Sequence, residues 1–195
     1  MRTQRRQNWR QAQAGISMTE LMVVILIVSI LMAMAVPSYR YITYSNRVST
    51  EANALLGDLQ YARSEAVKEG QTVTVCPASS DLTKCVSNST SWQNGWIVFS
   101  DPNSNQTLDS GETILRVRAA FNSSPQDTFV SDNSASFVSF NREGFATNFP
   151  ATTTGYITFT LHTSPLSNQW TRCLQVFSTG MMNTEKTSDT QGNCS

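Results

Sequence analysis

Residues 15–39 read GISMTELMVVILIVSILMAMAVPSY. Between Leu21 and Val36 only Ser29 interrupts the apolar run. Counted from Ile16, the segment is long enough for a helix to cross a bilayer. Ahead of it stand Arg2, Arg5, Arg6 and Arg10, with no acid among the first 15 residues. A basic flank of this kind belongs on the cytoplasmic side. Three readings fit: an ordinary secretory signal cut after the apolar run, a plain anchor, or a leader cut before the run. Ala33-Met34-Ala35 supplies the small-x-small pattern of the first. Gly15 and Glu20 favour the last. Gly15 is a small residue at the junction with the basic leader, and Glu20 puts a carboxylate five residues beyond it. A carboxylate in oil costs several kcal/mol unless it finds a partner, so its first reading is functional. An α-amine released by cleavage after Gly15 on a neighbouring subunit is such a partner.

This stretch resembles the type IV prepilin motif: a glycine, an apolar residue, three positions, a glutamate, then about sixteen apolar residues. Ile16 stands where phenylalanine is commoner, and Pro37 falls where pilin-like helices often carry proline. The resemblance implies cleavage between Gly15 and Ile16 by a prepilin peptidase, N-methylation of Ile16, and a part for Glu20 in assembling a helical filament. It divides the chain into a leader, 1–15, a transmembrane and assembly half of a helix, 16–43, and a globular head, 44–195. It further implies a single pass through the bacterial inner membrane with a periplasmic head, followed by residence in an extracellular or periplasmic filament. The implied partners are other major and minor pilins or pseudopilins, the peptidase, and inner-membrane lipid.

Past the membrane the helix should continue. Val48, Ala52, Leu55, Leu59, Ala62 and Ala66 recur at spacings of four and three, the stripe of a helix half-buried on a sheet. Arg47 and Glu51 are spaced i,i+4 on its flank, and Gly70 is a natural stop. Beyond Gly70 the pattern changes to short strands, expected at 72–76, 95–99, 113–118, 136–140, 156–161 and 172–178. Alternation is clearest where Ile157, Phe159 and Leu161 share a face. Ser/Thr/Asn-rich linkers cover 87–91, 122–127 and 151–154. One long helix followed by antiparallel strands is an α+β arrangement. The fold class expected is the pilin fold, with the helix packed on an antiparallel β-sheet head.

Residues 59–66 (LQYARSEA), 92–99 (WQNGWIVF), 112–115 (ETIL) and 140–144 (FNREG) are similar to the GspH/FimT family of minor pilins and pseudopilins. That resemblance implies a low-abundance subunit that primes or caps a type IV pilus, rather than the shaft subunit. Its alternatives are a minor pseudopilin of type II secretion and a DNA-binding minor pilin of natural transformation.

Composition narrows the chemistry. Lys+Arg and Asp+Glu both number 14, but without the four leader arginines the remainder carries a net charge of −4. Binding of nucleic acid through bulk charge is therefore not expected. His162 is the one histidine, too little for a Ser-His-Asp triad or a histidine metal site, and neither enzymatic activity nor a cofactor is expected. The four cysteines of an exported chain favour disulfides over a zinc site. Pairing nearest neighbours gives Cys76–Cys85 and Cys173–Cys194, one of three connectivities. The second pair would hold a polar C-terminal tail that is expected not to pack by itself. Asp101, Asn103, Asn105, Asp109 and Glu112 match the oxygen positions of a calcium loop, but Gln106 stands where that loop turns on glycine. A self-bonded Asx-rich hairpin loop is the competing account, and the stronger one. Arg116 and Arg118 lie on one strand face, and with Arg142 on a turn they are the candidates for a small DNA-binding patch. An ordinary solvated face is favoured instead. Trp92, Trp96 and Trp170 are expected in the core or at its rim, Met181 and Met182 in the core, and His162 in a structural role.

Overall fold

The computed structural model describes residues 15–122, 126–132, 134–147, 155–164, 170–187 and Cys194. Two compact units divide it, one ending at Ile42 and one beginning at Thr43.

Helix α1, Met18–Glu69, runs through both, and Pro37 lies inside it. In the first unit none of its most apolar stretch is buried. Side chains from Leu21 to Val36 face outward, the pattern of a helix whose surroundings are themselves apolar. In the second unit the helix buries one stripe: Val48, Ala52, Leu55, Asp58, Leu59, Ala62 and Ala66. These are the six residues expected from periodicity, with one carboxylate added. The helix stops at Gly70, which takes φ +68° and donates its N–H to the Ala66 carbonyl at 3.0 Å. Glycine adopts that left-handed conformation without steric cost.

Among the described residues nine strands follow, in two antiparallel sheets. The first, in order β3-β2-β1-β5-β6, contains β1 (Val73–Pro77), β2 (Gly95–Ser100), β3 (Ile114–Ala119), β5 (Val138–Phe140) and β6 (Ala146–Thr147). The second, β4-β7-β8-β9, contains β4 (Thr128–Ser131), β7 (Tyr156–His162), β8 (Arg172–Phe177) and β9 (Met182–Lys186). Leu55 and Leu59 of the helix share one core with Trp92, Trp96, Phe129, Phe140 and Phe159. Trp92 meets the Phe159 ring edge-on, centroids 5.0 Å apart, and donates Nε1–H to the Ala135 carbonyl. On the far face of the first sheet Cys76, Ala78, Ile97 and Phe99 form a second core. Strands β1 and β2 are covered on both faces for that reason, and every residue in them is buried.

Three strands were not anticipated. Strand β6 has two residues. Strand β4 begins next to a polar linker. Strand β9 carries MNTEK, almost wholly exposed, and joins the sheet through backbone bonds to β8. The polar tail thus contributes an edge strand, which needs no apolar face of its own. Met182 packs against the core, but Met181 is 65 % exposed, so only one of the two methionines is where it was expected. Both disulfides, Cys76–Cys85 and Cys173–Cys194, are formed.

One junction ties the elements together. Arg63 Nε of the helix donates to the Gly144 carbonyl in the β5–β6 turn at 2.9 Å. Gly180, in the β8–β9 turn at φ +75°, lies so close that a Cβ would collide with the Gly144 carbonyl and press on Arg63. Ala146 N–H donates to the Ser178 carbonyl beside it.

Candidate functional site

The assembly segment begins with a local cap. Ser17 Oγ accepts the Glu20 N–H at 3.1 Å, and its carbonyl accepts the Leu21 N–H. A serine bonding the third N–H after it is the usual opening of a helix. Glu20 therefore sits in the first turn of α1, one turn past Gly15 and Ile16, on a surface otherwise built of exposed Ile, Leu, Val and Met. The positive end of the helix dipole lies in that turn and favours the carboxylate there. Pro37 has no N–H to return to the Ala33 carbonyl, so that rung of the α1 ladder is missing near the expected membrane edge.

In the head, the arginines nominated as a basic patch are already engaged. Asp58 is buried in the helix stripe. Its Oδ2 accepts Trp96 Nε1–H at 2.9 Å and both Nε and Nη2 of Arg118 at 3.3 Å, and its Oδ1 accepts Arg116 Nη1 at 3.1 Å. The Arg116 guanidinium also lies over the Tyr61 ring, 3.5 Å from the centroid. Arg142 is elsewhere, on the turn after β5, bonded to Glu143. Three strand spacings, about 14 Å, separate its sheet position from β3. The three arginines therefore do not form one patch. Arg116 and Arg118 are not a freely solvated face either, because a buried carboxylate fixes them.

Arg47 corrects a second expectation. It does not pair with Glu51. Its Nε and Nη2 form a fork on Asp127, both bonds 2.7 Å, and Asp127 Oδ1 also accepts the Ser164 N–H. Glu51 stands beside this pair with one carboxyl oxygen, Oε2, buried and unbonded among the described residues. Burial first, and the Asp127 charge second, push the Glu51 carboxyl up to about 8, against an opposing pull from Arg47. The glutamate keeps its proton at neutral pH. Between its ordinary value of 4.5 and about 8, the unfolded chain releases a proton that the folded head retains. The stabilisation is then complete below about 4.5, falls as pH rises and is gone above about 8. Glu51→Gln should flatten this slope and raise the melting temperature at pH 8.5. Melting curves of the detergent-solubilised chain between pH 5 and 9 measure this, and parallel curves for the two proteins would refute it.

The candidate calcium loop satisfies itself. The Asp101 carboxylate is buried and accepts Thr74 Oγ1–H and the N–H groups of Asn105 and Gln106. Asp109 accepts the side-chain amides of Asn103 and Asn105, and Glu112 accepts the Asp109 N–H. The acidic oxygens are turned onto N–H and O–H donors, whereas a cation needs them turned onto itself. Among the described residues no group of three or more His, Cys, Asp or Glu could hold a metal ion. His162, half-buried at the end of β7, sits with Nδ1 3.2 Å from Thr171 Oγ1. Its imidazole titrates below the ordinary value because burial disfavours the charged ring.

Two parts thus stand out: an exposed apolar helix with one carboxylate in its first turn, and a head in which buried Asp58 and Asp127 hold Arg116, Arg118 and Arg47. Comparison with known proteins bears on both. Residues 10–36 match the prokaryotic N-terminal methylation motif. Residues 51–180 match the family described as type II transport protein GspH, two thirds of the chain. The chain belongs to the GspH family. This is a family of minor pilins and pseudopilins, structural subunits that assemble with others of their kind. Among solved structures, the Pseudomonas aeruginosa (strain PAO1) type IV minor pilin FimU in space group P21 superposes with a TM-score of 0.53 at 20 % identity, covering 72 % of this chain and 89 % of that one. The same protein in space group P65 gives 0.49 at 19 % identity, covering 70 % and 91 %. No curated protein matches. At such identity the FimU likeness speaks for the fold, a long apolar N-terminal helix with antiparallel sheets.

The arginine anchors of the head that sequence reasoning missed are Asp58 and Asp127. Asp58 carried a usable signal, because it stands three residues after Leu55 and four before Ala62, on the apolar stripe itself. Asp127 carried none: its partner is 80 residues away.

Proposed function

We propose that this chain is a minor pilin that helps to prime or cap a type IV pilus. It is cleaved between Gly15 and Ile16 by a prepilin peptidase, methylated at Ile16, and held in the inner membrane by residues 16–43 with its head in the periplasm. On extraction, the apolar face of α1 exchanges lipid for the helices of other pilins. The Glu20 carboxylate meets the N-terminal amine of a neighbour as it does so. One observation carries the reading: a lone carboxylate in the first turn of an exposed apolar helix, one turn past a glycine junction. Such a carboxylate is costly in oil unless it finds a partner, and a cation is the most favourable one. Assembly partners are then other major and minor pilins.

A second reading, a minor pseudopilin of type II secretion, is favoured by the description of the matched family and differs only in the machine served. Uptake of DNA has less support, since Arg116 and Arg118 are bound to Asp58. Both filament readings are tested by the mass of the N-terminal peptide of the exported chain. Methylated Ile16 is expected, and a chain beginning at Val36 would remove Glu20 and the proposal with it.

A further inference from the structure

Strand β3 is the outer strand of the five-stranded sheet, and among the described residues none pairs with its free side. The phase of the ladder tells which peptide groups are left over. The Gly95 carbonyl accepts from Ala78 N–H, so Gly95 faces β1 and the next residue, Trp96, faces β3. Trp96–Arg118 and Val98–Arg116 are then the bonded pairs of the β2–β3 ladder, and the peptide groups of Val117 and Ala119 point outward. On the face away from the helix Val117 is 46 % exposed and Ile114 39 %. An unprotected edge with apolar side chains is a template for another strand.

Charge decides which strand. Arg116 and Arg118 flank Val117 on the helix side, with side chains 47 % and 48 % exposed, and share the single carboxylate of Asp58. Two cations on one anion leave a positive charge in excess. The Asp58 bonds and the Tyr61 ring hold both guanidinium groups in place before any partner arrives. A second copy of this chain is a poor occupant, because antiparallel pairing of two β3 strands about Val117 sets arginine against arginine twice, and like charges directly opposite destabilise. We propose that β3 is a docking edge that accepts, by strand addition, an extended segment of a different subunit carrying two acidic side chains two residues apart. Only the source of that segment, a neighbouring pilin, rests on the filament reading above; the edge belongs to the head alone.

The test places a photoreactive benzoylphenylalanine at Ala119 of the full chain in the producing cells. The expected result is one adduct with another pilin-type subunit, mapping by mass spectrometry to an extended segment with acids at i and i+2. Val117→Pro removes an outward N–H and should lower its yield about tenfold. An edge proline there leaves the β2–β3 ladder intact, so the circular dichroism of the chain should not change. Raising salt from about 0.05 M to about 1 M should lower the yield without any substitution, because ion pairs at an exposed edge are screened. An adduct with a second copy, with DNA or with lipid, a yield indifferent to salt, or no adduct overturns the proposal. The N-terminal mass measured on the same sample reports separately on the filament reading.

Discussion

Glu20→Ala is expected to lower the share of this chain found in sheared filaments by about a hundredfold, while cleavage after Gly15 continues. Alanine removes the carboxylate and with it the cost of burying that carboxylate. On the proposed pairing, what remains is the neighbour's α-amine, buried without a counter-ion. Breaking a buried ion pair by deleting one member costs about 3 kcal/mol or more, and 3 kcal/mol is a little over two decades in an equilibrium. Glu20→Gln keeps an acceptor for the amine but not the charge, so it should fall between. The local helix does not need the glutamate side chain, since the cap is the Ser17 hydroxyl bonded to the Glu20 N–H. Processing and membrane retention should therefore persist. Immunoblots of filament and membrane fractions, with N-terminal masses from each, measure both quantities. Wild-type incorporation of Glu20→Ala would mean that the carboxylate serves no pairing role.

Asp58→Ala should be the most damaging single change in the head, with a loss of about 3 kcal/mol. The carboxylate gathers Trp96 Nε1–H and two guanidinium groups from β3 onto the helix. Without it a buried indole N–H has no acceptor and two cations repel across the gap. The arginines are about half exposed, so water screens part of the repulsion and keeps the loss at the low end for a broken buried pair. Adding Arg116→Met and Arg118→Met to Asp58→Ala should restore part of the stability, since the repelling charges go together. Thermal unfolding of the three proteins reads this directly. A melting point for Asp58→Ala within about 2 °C of the parent would show that the cluster holds nothing together.

Much of this was legible in the sequence, and the boundary is physical. The helix stripe from Val48 to Ala66 repeats with a period that burial imposes, and the strands around Ile97, Phe140, Ile157 and Leu174 are short runs rich in buried apolar residues, so short windows reveal both. Nearest-neighbour cysteine pairing reproduces the two bridges of the structure. What was hidden involves partners distant in sequence or strands without a buried face. Arg47 looked paired with Glu51 because the two are four residues apart, yet Asp127, which accepts a fork, takes it. Asp58 was passed over because a carboxylate on an apolar stripe looks like an interruption until Arg116 and Arg118 are seen above it. Strand β9 shows no alternation because only Met182 of its five residues is even partly covered. The loop from Asp101 to Glu112 has the spacing of a cation site, and spacing alone does not reveal that its oxygens already have donors.

The meeting of Arg63 with the Gly144 and Gly180 turns has a mechanical consequence. Drawing the helix along its axis, as the proposed extraction from a bilayer demands, puts tension on whatever the helix grips. Arg63 grips the last turn of one sheet at a point where the second sheet is pressed and bonded against it. The load is thereby divided between two sheets instead of falling on the two-rung β5–β6 hairpin alone.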